Sequence, residues 1–123
     1  MTARLFALRG ATSVERNDGA SILAATEELM TELRSRNSLV PDDVVSCIFT
    51  ATNDLDAEFP AVAARRIGFE RVPLLCAREI DVPGSLPRVI RVLIHHYAPE
   101  DHVARHVYLG AARSLRADLD SAQ

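Results

Sequence analysis

One long segment of helical periodicity is followed by a series of short apolar runs, and that ordering constrains the fold more than any other feature. Downstream of Asn17-Asp18, the residues Ile22, Leu29 and Leu33 recur on one side, with Leu23 and Met30 beside them, which is the spacing of an amphipathic helix. Asn17-Asp18 is suited to cap it, and Glu32 and Arg36 stand at i,i+4 in the favourable order. The spacing predicts a helix over 18–36. The other apolar runs are too short for helices of that kind. They lie at 5–8, closed by a turn at Arg9-Gly10, and at 44–49, 72–77, 88–96 and 103–109; each reads as a strand. Pro60 can open a short helix over 60–66 that Gly68 ends. A helical turn is expected over 110–115 and a loose tail over 118–123. Helix and strand alternate only early, and strands then dominate. The expected fold class is α+β, a mixed β-sheet with helices on one face rather than a doubly wound sheet.

The 123 residues are the length of one domain, and we read 1–123 as a single one. Hydrophobic residues at 48% and charged residues at 25% are ordinary for a globular chain. All fourteen basic residues are arginine; lysine is absent. This excludes a Schiff-base lysine, a pyridoxal-phosphate anchor and a P-loop lysine. A net charge of −3 and 5% aromatics argue against a nucleic-acid partner. No apolar run approaches the ~20 residues of a membrane span, and the apolar N-terminal stretch is cut short by Arg9. Cys47 and Cys76 lie far apart with no C-x-x-C spacing, so two reduced thiols and a cytoplasmic setting are the simplest expectation.

Some residues violate local logic. Arg91 stands inside Val89-Ile90-Arg91-Val92-Leu93-Ile94, where a guanidinium is costly unless it is paired or faces a polar cavity. It is either an arginine on the solvated face of a strand or part of a site. Arg9, at a strand end beside Gly10, carries the same two readings. Cys76 and Glu79 lie on the 72–77 strand and its exit. His102 and His106 are four apart, but no H-E-x-x-H accompanies them, and His95-His96 put their rings on opposite faces of a strand. We expect neither metal nor cofactor. G-x-S-x-G, G-x-G-x-x-G and the P-loop do not occur.

Taken in order, several segments do form a pattern. They are Arg9-Gly10-Ala11-Thr12 with Val14-Glu15, Ala51-Thr52-Asn53-Asp54-Leu55, Phe59-Pro60-Ala61, Val72-Pro73 with Cys76, and Glu79-Ile80-Asp81-Val82. Ile90-Arg91-Val92, His106-Val107-Tyr108-Leu109 and Leu115-Arg116-Ala117-Asp118-Leu119 follow. This order and spacing resembles the monofunctional chorismate mutases of the AroH type over nearly the whole chain. The resemblance implies a pseudo-α/β-barrel homotrimer with active sites in clefts between subunits, and the conversion of chorismate to prephenate on the route to phenylalanine and tyrosine. It implies that Arg9, Arg91 and Tyr108 hold the substrate's carboxylates and ether oxygen, and that Glu79 and Cys76 meet its ring hydroxyl. Phe59, Ala61, Arg65, Leu74 and Leu75 would line the pocket, and Leu115 with Arg116 would close it. Val62 stands where the family pattern leads us to expect a lysine.

The chemistry that the resemblance implies is a unimolecular pericyclic shift. It needs no nucleophile, proton transfer or metal, which agrees independently with the missing catalytic motifs. Two other classes remain open to the sequence: a deaminase of reactive enamines on a similar trimer, and a non-catalytic binding module for a related metabolite.

Overall fold

The computed structural model describes residues 2–115 of the chain. Strand β1 (Ala3–Ser13) leads to helix α1 (Gly19–Asn37). After a single turn at Pro41–Asp43, strand β2 (Val44–Ala51) runs to the short helix α2 (Ala61–Ala64), which continues as a wider turn over Arg65–Phe69. Strands β3 (Leu74–Arg78), β4 (Val89–Pro99) and β5 (Val107–Leu109) follow, and a last helical turn spans Gly110–Ser114. The sheet order is β3-β2-β4-β1-β5, parallel at β2/β3 and β1/β5 and antiparallel at β2/β4 and β4/β1. This is the expected mixed α+β sheet. Among the described residues, no helix is long and apolar enough to cross a membrane.

Helix α1 covers one sheet face. The Asp18 carboxylate accepts the Ser21 N–H at 2.7 Å at its start, and Ser38 turns left-handed (φ 52°) at its end. Of the residues read from the sequence, Ile22, Leu29, Met30 and Leu33 are fully buried and pack with Leu8, Phe49, Ile90, Val92, Ile94 and Val107, while Leu23 is only partly buried. Strand alternation therefore sends Arg9, Thr50, Arg91, Leu93 and Tyr108 to the opposite, open face.

Three expectations fail for physical reasons. Arg9-Gly10 is not a turn; β1 runs straight through it to Ser13. Glycine is required there by close approach, because a Cβ at position 10 would lie 2.8 Å from Leu33 Cδ1 and 3.1 Å from Leu29 Cδ1. The expected strand over 103–109 is cut to Val107–Leu109. The buried Asn37 amide replaces a ladder partner: its Oδ1 accepts the Arg105 N–H at 2.8 Å and its Nδ2 donates to the Arg105 carbonyl at 2.9 Å. His106 Nδ1 then accepts the Arg9 N–H at 2.9 Å. The third strand also starts two residues late, at Leu74, because Pro73 has no N–H to give a ladder.

At the end of the sheet far along β4, the rings of Phe6, His96 and His102 form a cluster, with His96 and His102 centroids 5.5 Å apart. His96 is 2% exposed. Burial first, and the neighbouring His102 second, hold its pKa below the ordinary value of 6.5, while the Tyr97 backbone and Asp43 act weakly the other way. The unfolded chain thus binds a proton that the native chain resists. The contribution of neutral His96 to stability is complete above about pH 6.5 and is lost as the pH falls from there through the lower native value. Urea unfolding midpoints at pH 7.5 and 5.5 check this. The drop should be smaller in His96→Leu than in the wild type; equal drops would remove His96 as its source.

Candidate active site

The open face carries a cleft of about 440 Å³, large enough for a small organic acid. Arg91 sits at its centre, level with Ala11 on β1 and Thr50 on β2. Its strand neighbours Ile90 and Val92 are buried in the core, so their packing fixes where the guanidinium emerges. Arg91 Nη1 lies 3.1 Å from Glu79 Oε1, and the other Glu79 oxygen accepts a hydrogen bond from the Thr50 hydroxyl. The side chains are 35% and 21% exposed, so solvent weakens this pair without dissolving it.

Arg9 lines the cleft from β1, and Tyr108 and Leu115 line it from the far side. Tyr108 packs with Ala11, Ala112 and Leu115, and its buried hydroxyl has no hydrogen-bond partner among the described residues. A buried hydroxyl in that state favours a ligand that offers it an acceptor. Among the described residues the cleft thus sets two guanidiniums against one carboxylate. That surplus of positive charge suits an anionic ligand, and arginine's planar fork suits a carboxylate.

Phe59, Ala61, Arg65, Leu74, Leu75 and Cys76, also singled out from the sequence, do not line this cleft. Phe59, 67% exposed, and Cys76 line a second cleft beside β3, with Pro60 and Arg78. Cys76 and Leu74 face the core side of the sheet, in register with Phe49 and Cys47. Leu75 points from the open face and is 60% exposed. Arg65 is exposed on the wide turn after α2, while Ala61 is buried. Arg116 and the 118–123 tail lie outside the described residues. Val62 is partly buried on α2. The sequence reading missed Thr50, Ile48 and Leu93, all of which line the first cleft. Alternation along β2 and β4 was the available signal, but it needs the register that brings Thr50 opposite Arg91.

Neither cysteine is set up as a nucleophile in the first cleft. Cys47 is buried in the core, and burial pushes its thiol pKa up to about 12. The arrangement can hold an anion and place a fixed positive charge against it.

Comparisons with known proteins identify the family. The family model for chorismate mutase type I matches residues 5–119. A protein named chorismate mutase AroH from Thermus thermophilus is 51% identical over 119 residues, covering 94% of this chain and 97% of the relative. One of the same name from Bacillus subtilis (strain 168) is 43% identical over 115 residues, covering 91% and 90%. The solved structure of a chorismate mutase from Clostridium thermocellum superposes with a TM-score of 0.83 at 47% identity, covering 88% of this chain and 97% of that one. By sequence and by fold, the chain belongs to the type I chorismate mutase family.

Proposed function

We propose that the cleft around Arg91 is where this chorismate mutase rearranges chorismate to prephenate, and that it does so by restraint and fixed charge alone. The observation that carries the reading is the Arg91–Glu79 pair, anchored by Thr50 and facing Arg9 and Tyr108 across one cleft.

The reaction sets two demands. The enolpyruvyl ether must be held in its compact reactive shape, and negative charge growing on the ether oxygen must be stabilised as the C–O bond breaks. Arg91 meets the second. Its position is set by the strand and by Glu79 before substrate arrives, so no reorganisation is needed during the reaction. One such donor is worth about 2.7–4 kcal/mol. Even a modest enzymatic acceleration needs about 8 kcal/mol, so positioning must supply much of the remainder. Arg9 and the Tyr108 hydroxyl are placed to grip carboxylate oxygens. Glu79 accepts a hydrogen bond from the ring hydroxyl and balances the guanidiniums. Leu115 covers the cleft.

The pocket is completed, on this reading, by a second copy of the chain. Phe59, Arg65, Leu75 and Cys76 do not reach the first cleft within one chain. The open sheet face also exposes Leu5 (47%), Leu75 and Tyr97 (50%) in one sheet, a surface that favours burial against another subunit. We read the assembly as a homotrimer with its sites between subunits, Cys76 approaching the ring hydroxyl from the neighbouring copy. We place it in the cytoplasm, a reading supported by the two free thiols.

Chorismate absorbance followed with purified protein tests both parts. Chorismate should be consumed, and kcat should be nearly flat from about pH 6.5 to 8.5, since no group donates or removes a proton. A sharp bell in that range would demand proton transfer and contradict the mechanism. Light scattering under assay conditions should give three chain masses; a fully active monomer would contradict the shared site.

A further inference from the structure

The turn that follows β2, Thr52-Asn53-Asp54-Leu55, does not line the cleft of Arg91, yet residues adjoining both members of the ion pair are tied to it. On the Glu79 side, the Glu79 N–H donates to the Ala51 carbonyl at 3.0 Å. The preceding Arg78 donates through Nη1 to the carbonyls of Thr52 at 2.9 Å and Leu55 at 3.0 Å. On the Arg91 side, the Val89 N–H donates to the Thr52 hydroxyl oxygen at 3.0 Å, and the Thr52 N–H donates to the Val89 carbonyl at 3.1 Å. The Asp54 carboxylate accepts the Arg88 backbone N–H on both oxygens, at 3.0 and 3.1 Å, and also the Thr52 hydroxyl.

Arg88 is the unusual residue. Its φ of 49° lies in the left-handed region, which an arginine enters only when its surroundings impose it. It stands where the loop over 79–88 turns into β4, three residues before Arg91. Its Nε donates to the Val14 carbonyl at 2.9 Å, and its own carbonyl accepts the Val14 N–H at 2.8 Å. The Asp54 carboxylate accepts the Arg88 N–H, whereas the Val14 contacts hold the Arg88 carbonyl and side chain.

We propose that Asp54 is a positioning residue for the rearrangement: by holding Arg88 left-handed, it sets the start of β4 and hence the place of the Arg91 guanidinium against Glu79. This inference rests on the reading of the Arg91 cleft as the active site. Asp54 acts on reactivity through the strand and touches no substrate. Displacements of about 1 Å at a reacting centre are enough to cost large factors in rate.

The test compares Asp54→Ala, Asp54→Asn and Asp54→Ala with Arg88→Gly, each in the full chain and checked for folding by circular dichroism. In Asp54→Ala, kcat on chorismate should fall about tenfold or more while KM moves about twofold or less. Asp54→Asn keeps one acceptor oxygen and should fall between Asp54→Ala and the wild type; it carries the test if Asp54→Ala does not fold. Glycine adopts positive φ without a clamp, so adding Arg88→Gly to Asp54→Ala should recover part of kcat. That rescue would not follow if Asp54 served only overall stability. Wild-type kcat in folded Asp54→Ala, or no recovery in the double variant, would overturn the proposal. An inactive wild type would instead overturn the reading of the site itself.

Discussion

A guanidinium fixed on the solvent side of a strand whose other side is core is the constraint on which the rest of the site depends. Arg91 is flanked by Ile90 and Val92, both packed beneath α1. Strand alternation then leaves it one direction to point. Glu79 arrives from the exit of β3, and Thr50, beside Arg91 on β2, secures it. Each partner comes from a different strand, so the pair exists only when the register of β3, β2 and β4 is correct. Partial exposure keeps the desolvation cost of the two charges low, and it leaves the guanidinium open to a third, anionic group.

The core and the cleft are coupled at Gly10. Helix α1 lies so close to β1 that no Cβ fits there without moving Leu33. Arg9, one residue before, emerges on the opposite face into the cleft. The same contact that completes the core therefore sets the height of Arg9 in the cleft. Asn37, the last residue of α1, extends the logic to β5 by holding Arg105, two residues before Val107-Tyr108. One helix thus positions both walls of the site.

Much of this was legible from the residues alone. The helix expected at 18–36 is Gly19–Asn37, because apolar spacing and a cap residue are local signals. Arg91 stood out because a charge inside an apolar run is a local contradiction, and it proved to be ion-paired at the centre of a cleft. What failed was non-local. Gly10 resembled a turn because close approach of a helix leaves no trace in neighbouring residues. The strand over 103–109 looked continuous because the Asn37 side chain that replaces its ladder lies 68 positions away in sequence. Thr50 was invisible without register. The family resemblance grouped Phe59 and Cys76 with Arg91, whereas one chain places them in two clefts. Sequence order carries no information on which copy of a chain supplies a residue.

The central claim is that the geometry of Arg91, beyond its charge, lowers the barrier. It is tested most directly by kcat for chorismate at saturating substrate in Arg91→Lys, with folding checked by circular dichroism. Lysine keeps the positive charge and loses the planar fork that would reach both Glu79 and the ether oxygen. The account predicts a folded protein whose kcat falls by about 10²–10³. A folded Arg91→Lys variant turning over at near the wild-type rate would contradict it.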